Sequence, residues 1–235
     1  MVFVITGLSR TWIFTIKSIG WGCFNPRLNT TRKESVFLNL LNLSSIYIPS
    51  SIKHIDITSI ACMPLLQSLT LPDSWEIDFN VIHQSYGNKS RGYFYDCPHL
   101  TSIKIPETVK KLCMDMFYNN TALEHITLSP IFEKIPDSAF LGCTALLDID
   151  IPSSVKRIDN RAFEGCISLE TVTLHEGLED ILIFSFRDCN KLKEIFIPRS
   201  VKYIGEGNFI DSTIKGYKNS YAQKYANDNG ITFIA

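Results

Sequence analysis

Residues 148–174, DIDIPSSVKRIDNRAFEGCISLETVTL, decide the fold, because the pattern they carry returns along the chain. Steps of 23 residues from Phe163 meet Phe117, Phe140, Phe186 and Phe209. Other columns keep the same step: Cys143, Cys166 and Cys189; Leu123, Leu146, Leu169 and Leu192; Ile126, Ile149, Val172 and Ile195; Leu128, Ile151, Leu174 and Ile197; Ile135, Ile158, Ile181 and Ile204. One such unit cannot bury its apolar side alone, whereas stacked copies bury it continuously. The chain is therefore a repeat protein built as a solenoid of 23-residue coils.

Each coil divides into three parts. The segment typified by Leu169, Val172 and Leu174 alternates apolar and polar residues, which predicts a strand in a parallel ladder. A proline follows at Pro49, Pro72, Pro106, Pro152 and Pro198, and its missing N–H ends the strand. The segment from Val155 to Ile158 predicts a second strand-like row on another side, and AF-x-G-C then turns the chain back. Two places after each anchor stand Asn39, Asp96, Asn119, Gly142, Gly165, Asp188 and Asp211, with Cys62 the exception. These residue types tolerate positive φ best, so a short helical turn ending in a left-handed residue is expected. The next column, Cys97, Asn120, Cys143, Cys166, Cys189 and Ser212, holds small residues able to bond to the turn backbone, Asn120 among them as a structural group.

The register assigns three regions. Residues 1–36 do not keep the columns; Trp12, Phe14, Ile16, Ile19, Trp21 and Phe24 supply apolar surface for an N-terminal cap of two or three short strands, with a loop over Asn25–Glu34. Residues 37–211 form the solenoid, interrupted near 72–93 by an insertion of 11 residues that reads as a protruding hairpin or loop. Residues 212–235 form a C-terminal cap, because Lys215 and Lys218 fall in slots that were apolar. Ser220 caps a helix through Asn227, with Tyr221, Ala222, Tyr225 and Ala226 inward, and Gly230 ends it before a last strand over Ile231–Ile234.

Composition narrows function. The apolar fraction of 45%, charged fraction of 20% and net charge of −1 describe a folded chain without the electrostatic footprint of a nucleic-acid or anionic-membrane binder. No segment is long and apolar enough to insert in a bilayer, and MVFVITGLSR lacks the basic region of a signal peptide. Seven cysteines could frame a disulfide network, but four share one column, where in-register Cβ atoms point the same way; buried free thiols are expected. The five histidines have no metal-ligand spacing, and there is no C-x-x-C pair, G-x-S-x-G or phosphate loop. No catalytic residue, metal or cofactor is assigned, and the chain reads as a non-enzyme.

The coil IPSSVKRIDNRAFEGCISLETVTL resembles the repeat of the BspA-like leucine-rich-repeat proteins, and STIKGYKNSYAQKYANDNGITF is similar to a closing unit of bacterial members. The resemblance covers residues 37–235 and implies a β-rich leucine-rich-repeat solenoid with a parallel β ladder, short helical turns and capped ends. It further implies a secreted or cell-surface protein that adheres to host proteins or other cells, with no fixed catalytic or ligand residues to carry over. A cytoplasmic chain is the alternative when no signal or anchor is visible.

Strand alternation supplies the candidate binding surface. If Leu169, Val172 and Leu174 face inward, the residues flanking the central position face outward. Tyr47, Lys104, His125, Asp148, Asp150, Thr171, Thr173, Glu194 and Phe196 are the candidate binding residues of that face, which suits a protein partner of a monomeric chain. Asp148 and Asp150 share a face, a geometry compatible with calcium, though two solvated carboxylates are the simpler reading. The second row displays Lys53, His54, Lys110, Lys111, Lys134, Lys156, Arg157 and Lys202, a basic stripe interrupted by Glu133, Glu179 and Asp180; a sulfated glycan or an acidic protein is its alternative ligand, and a solvated charged sheet the simpler reading. Trp75, Tyr86, Lys89 and Arg91 in the insertion would suit a binding loop. Two further roles stand beside adhesion: a structural spacer in a larger assembly, and carbohydrate binding.

Overall fold

The computed structural model describes residues 3–7, 10–14, 43–48, 60–73 and 92–235. Cys23, the Asn25–Glu34 loop, Asn39, Pro49, Lys53, His54 and the insertion residues Trp75, Tyr86, Lys89 and Arg91 lie outside the described residues.

The described chain is a parallel β-solenoid with a helix and strand at its C-terminal end. Its first side is a ladder of short strands, β3 (Leu43–Tyr47), β4 (Ser68–Thr70), β5 (Ser102–Lys104) and β6 (His125–Thr127), all parallel and in register. It continues through β8 (Asp148–Asp150), β10 (Thr171–Thr173), β12 (Glu194–Phe196) and β14 (Thr213–Lys215). The second side is the expected V-x-x-I row, where β7 (Lys134–Ile135), β9 (Arg157–Ile158), β11 (Asp180–Ile181) and β13 (Tyr203–Ile204) pair in parallel. At the N-terminal end, β1 (Phe3–Gly7) and β2 (Arg10–Phe14) form an antiparallel hairpin, and β1 lies antiparallel to β3.

The third side consists of hydrogen-bonded turns. In three successive coils three backbone N–H groups donate to the coil that follows; in the first these are Asp115 to Asp137 O, Phe117 to Ala139 O and Asn119 to Leu141 O, at 3.1, 2.8 and 2.8 Å. Ser138, Phe140 and Gly142 donate in the same way to Asn160, Ala162 and Glu164. Asp96, Asn119, Gly142, Gly165 and Asp188 have positive φ as expected, and Cys62 joins them at 57°. A second left-handed column was not expected. Asp115, Ser138, Arg161, Phe184 and Gly207 also have positive φ, one coil apart, and together the two columns aim alternate N–H groups along the solenoid axis. Asp211 departs from its column, and Phe209, at 59°, is left-handed in the last turn instead.

The core between these sides is continuous. Six phenylalanines, Phe94 through Phe209, stack ring upon ring with centroids 5.1–5.7 Å apart, and Phe140 and Phe163 lie within 1° of parallel. Beside them Cys143, Cys166 and Cys189 donate their thiols to the carbonyls of Phe117, Phe140 and Phe163 at 3.1–3.2 Å. The six described cysteines are free and buried. Burial pushes the thiols of Cys97, Cys113, Cys143 and Cys189 up to about 12, and that of Cys166 well above its ordinary value. Asn120, fully buried in the cysteine column, accepts from the Cys97 N–H at 2.8 Å through Oδ1, while its Nδ2 has no acceptor among the described residues. Between coils, the Glu176 carboxylate accepts the backbone N–H groups of Arg199 and Ser200, each at 3.0 Å. The Arg199 N–H bond above all, with help from Ser200 and the Arg199 charge, holds Glu176 below the usual carboxylate range.

The last coil is four residues shorter than the period. Ile214 pairs with Ile195, 19 positions earlier, and is fully buried, so Lys215 is turned outward and partly exposed rather than set in the apolar slot the period assigned to it. After β14 comes α1 (Tyr221–Asp228), capped by Ser220, whose side chain accepts from the Gln223 N–H. The helix runs one residue past the expected Asn227, and Ala222, Tyr225 and Ala226 are buried. Tyr225 Oη donates to the Asn208 carbonyl at 2.9 Å, which holds the helix against the last turn. β15 (Phe233–Ile234), two residues shorter than expected at its start, pairs in parallel with β14 and forms the outer strand of that side.

Candidate functional site

Three-residue strands give every coil the same division of labour. In β4, β5, β6, β8, β10 and β12 the central residue is buried and its neighbours are exposed. The outward residues fall into two columns because the parallel register is unbroken within each paired set. Ser45, Ser68, Ser102 and His125 align in one, with Asp148 beside Thr171 and Glu194 beside Thr213. Tyr47 beside Thr70, Lys104 beside Thr127, Asp150 beside Thr173, and Phe196 beside Lys215 make the other. All nine residues singled out from the sequence, from Tyr47 to Phe196, lie on this face.

The side chains of the face are tied to one another across coils. Asp148 Oδ2 lies 2.9 Å from His125 Nδ1, and Asp150 Oδ1 lies 2.7 Å from His175 Nε2. The two carboxylates of β8 thus turn to different histidines, and the described residues contain no group of three side chains suited to hold a metal ion. Glu194 Oε2 meets Lys215 Nζ at 2.5 Å, and Glu170 Oε1 meets Lys191 Nζ at 3.1 Å. At the C-terminal end Phe196 and Tyr217 meet edge to face, centroids 5.6 Å apart and planes at 77°. The Arg199 guanidinium sits 4.6 Å from the centre of the Tyr217 ring.

Sequence reasoning missed His175, Arg199, Lys215 and Tyr217. His175 did leave a signal, since it replaces the proline that stands one coil away at Pro152 and Pro198. Lys215 and Tyr217 left none, because the shortened last coil moves both out of the 23-residue register.

Three cations of the basic stripe of the second row are neutralised from within. Asp159, with only 3% of its side chain exposed, takes Lys134 Nζ at 3.0 Å and Arg157 Nε at 2.5 Å. Lys202 Nζ meets Glu179 Oε2 at 2.8 Å, and that bond raises the lysine and lowers the glutamate from their ordinary values. Two of the expected cations therefore serve to satisfy one buried carboxylate.

A family model described as a BspA-type leucine-rich repeat region, with six copies, matches residues 15–89 and 87–215. Among solved structures, a leucine-rich-repeat protein of T. pallidum is 27% identical over 49% of this chain and 58% of its own, with a TM-score of 0.47. A leucine-rich cell surface protein from Faecalibacterium prausnitzii A2-165 is 22% identical over 78% of this chain and 50% of its own, at 0.46. The pneumococcal vaccine antigen PcpA is 19% identical over 75% and 51%, at 0.41. The chain thus spans 50–58% of the length of these three structures. Comparison with curated proteins finds no match.

Proposed function

Because the chain belongs to the family of BspA-type leucine-rich-repeat proteins, we propose that it is a non-enzymatic binding protein whose recognition surface is the outward face of the ladder. Leucine-rich-repeat folds commonly serve protein interaction, and an extended sheet gives a partner a long, regular surface. One observation carries the assignment. The buried column through the strands, Ile46, Leu69, Ile103, Ile126, Ile149, Val172, Ile195 and Ile214, is nearly uniform, while the outward columns are varied, one passing from three serines to His125, Asp148, Thr171 and Glu194 and the other from Tyr47 through Lys104 and Asp150 to Phe196. Packing asks for sameness, and recognition of one partner asks for difference.

In this reading Tyr47, Lys104, His125, Asp148, Asp150, Thr171, Thr173, Glu194 and Phe196 contact a protein partner, with the aromatics at the two ends as anchors. The family's character supports a role in adhesion, with the chain secreted or displayed on a cell surface and the partner a host or cell-surface protein. Replacing Tyr47, His125 and Phe196 together by alanine tests it. The variant should keep its circular dichroism spectrum and lose capture of its partner; capture that persists in the folded variant moves recognition off this face.

A further inference from the structure

The outward face ends, over its last two coils, in an aromatic corner. Phe196 is 46% exposed and Tyr217 39% exposed, and their near-perpendicular planes form a floor and a wall rather than one surface. Phe196 is in register with Lys215 on one side, Thr173 fills the same slot one coil back, and Glu194 precedes it by two residues on the same face. Asp150, in register with Thr173, is bonded to His175, two residues after that threonine.

We propose that this corner is a saccharide-binding site, seating one uncharged hexopyranose ring of a glycan; the inference rests on the ladder face being the recognition surface. A pyranose has a face of C–H bonds and a rim of hydroxyls. The C–H face complements the negative π face of an exposed ring. Each hydroxyl both donates and accepts, so it matches places where an acceptor and a donor stand side by side. The corner supplies these as Glu194 with Lys215, Asp150 with His175, and the Thr173 hydroxyl. Each carboxylate around it has a partner, Glu194 with Lys215, Asp150 with His175 and Glu176 with the Arg199 charge, which favours an uncharged ligand over an acidic or basic one. The two rings stand in an open corner close to half exposed, so a sugar ring reaches them from solvent. The glycan can be free polysaccharide or a chain carried on a glycoprotein.

The labelled chain is applied to an array of uncharged and sulfated glycans of mammalian and bacterial type, alongside variants Phe196→Ser and Tyr217→Ser and the control Tyr203→Ser, an exposed aromatic on the second side. Folding of each is checked by circular dichroism and melting temperature. We expect retention on a subset of uncharged hexopyranosides, weakened about tenfold in each corner variant and unchanged in the control. No retention of the native chain, or retention indifferent to both folded corner variants, overturns the site. A protein partner captured equally well before and after enzymatic deglycosylation, with an empty array, overturns it too while leaving the protein-binding role standing. Glycan retention lost in the corner variants, with no protein captured, establishes the site without that role.

Discussion

Phe163 is the residue whose loss the architecture should feel most. It is fully buried and stacked on both neighbours, Phe140 at 5.1 Å and 1° and Phe186 at 5.2 Å and 11°. Truncating a buried phenylalanine to alanine costs about 3–5 kcal/mol, and each aromatic pair contributes about 0.5–1.5 kcal/mol beyond its buried area. Phe209, at the end of the column, is also buried but stacks only on Phe186, at 5.2 Å and 27°. Phe163→Ala should therefore cost about 3–5 kcal/mol, and Phe209→Ala less by roughly one ring pair, about 0.5–1.5 kcal/mol. Phe209 is left-handed, but alanine carries the same Cβ penalty there, so the comparison survives. Urea titration followed by far-ultraviolet circular dichroism reads both values. Tryptophan emission supplies a second probe weighted to the N-terminal third, since Trp12, Trp21 and Trp75 all lie there. Because repeats interact mainly with their neighbours, coincidence of the two transitions also reports whether one weakened coil uncouples the stack. A cost below about 1 kcal/mol for Phe163→Ala, or a larger cost for Phe209→Ala, would refute the view that the stacked column holds the coils together.

Other outcomes follow from single contacts. A Cβ on Gly207 would lie 2.3 Å from Phe184 Cδ1 with φ at +72°, whereas one on Gly230, at +68°, meets nothing within 4 Å. Gly230→Ala should thus cost only the conformational penalty of about 1–2 kcal/mol, and Gly207→Ala clearly more, read from the shift in urea midpoint. Glu176 has its carboxyl lowered from 4.5 by the backbone bonds it accepts, so its contribution is present above the unfolded value and lost as pH falls through the folded one; Glu176→Gln should flatten the fall in stability below about pH 4.5. In a Cys23→Ser background, the six buried thiols should resist iodoacetamide at pH 8 in the native protein and react once it is unfolded in urea; labelling of Cys166 in the native protein would contradict its burial.

What the sequence made legible was whatever a side chain must declare. Phe163 and its column had to be large and apolar, Ile158 and its column had to fill the second row, and Gly165 had to tolerate positive φ, so all were readable by stepping along the chain. The second left-handed column was not readable. Asp115, Ser138, Arg161 and Phe184 share no side-chain chemistry, because their conformation is imposed by backbone bonds to the next coil rather than by propensity. The binding face was legible as a face, through the alternation around Val172. Its fine structure was not. Lys215 and Tyr217 join it only because the last coil loses four residues and lets Ile214 take the buried slot, and a fixed period cannot register a deletion that stacking itself accommodates.

The turn side gives the molecule a direction. Its inter-coil bonds run one way, from Phe94 to Met116, from Phe117 to Ala139, from Phe140 to Ala162 and from Phe163 to Ser185, N–H always toward the higher-numbered coil. That flank has the head-to-tail order of peptide groups otherwise met inside a single helix, spread across separate turns of chain. It is therefore tactic: one end offers carbonyls, the other N–H groups, and the two ends are chemically unlike. Near the latter end Phe186 N–H is received not by a backbone carbonyl but by Asn208 Oδ1 of the last turn, at 2.9 Å. A stack of this kind can be lengthened by inserting coils in the same sense anywhere before that asparagine, but a coil inserted in the opposite sense would leave one rim of like groups facing another.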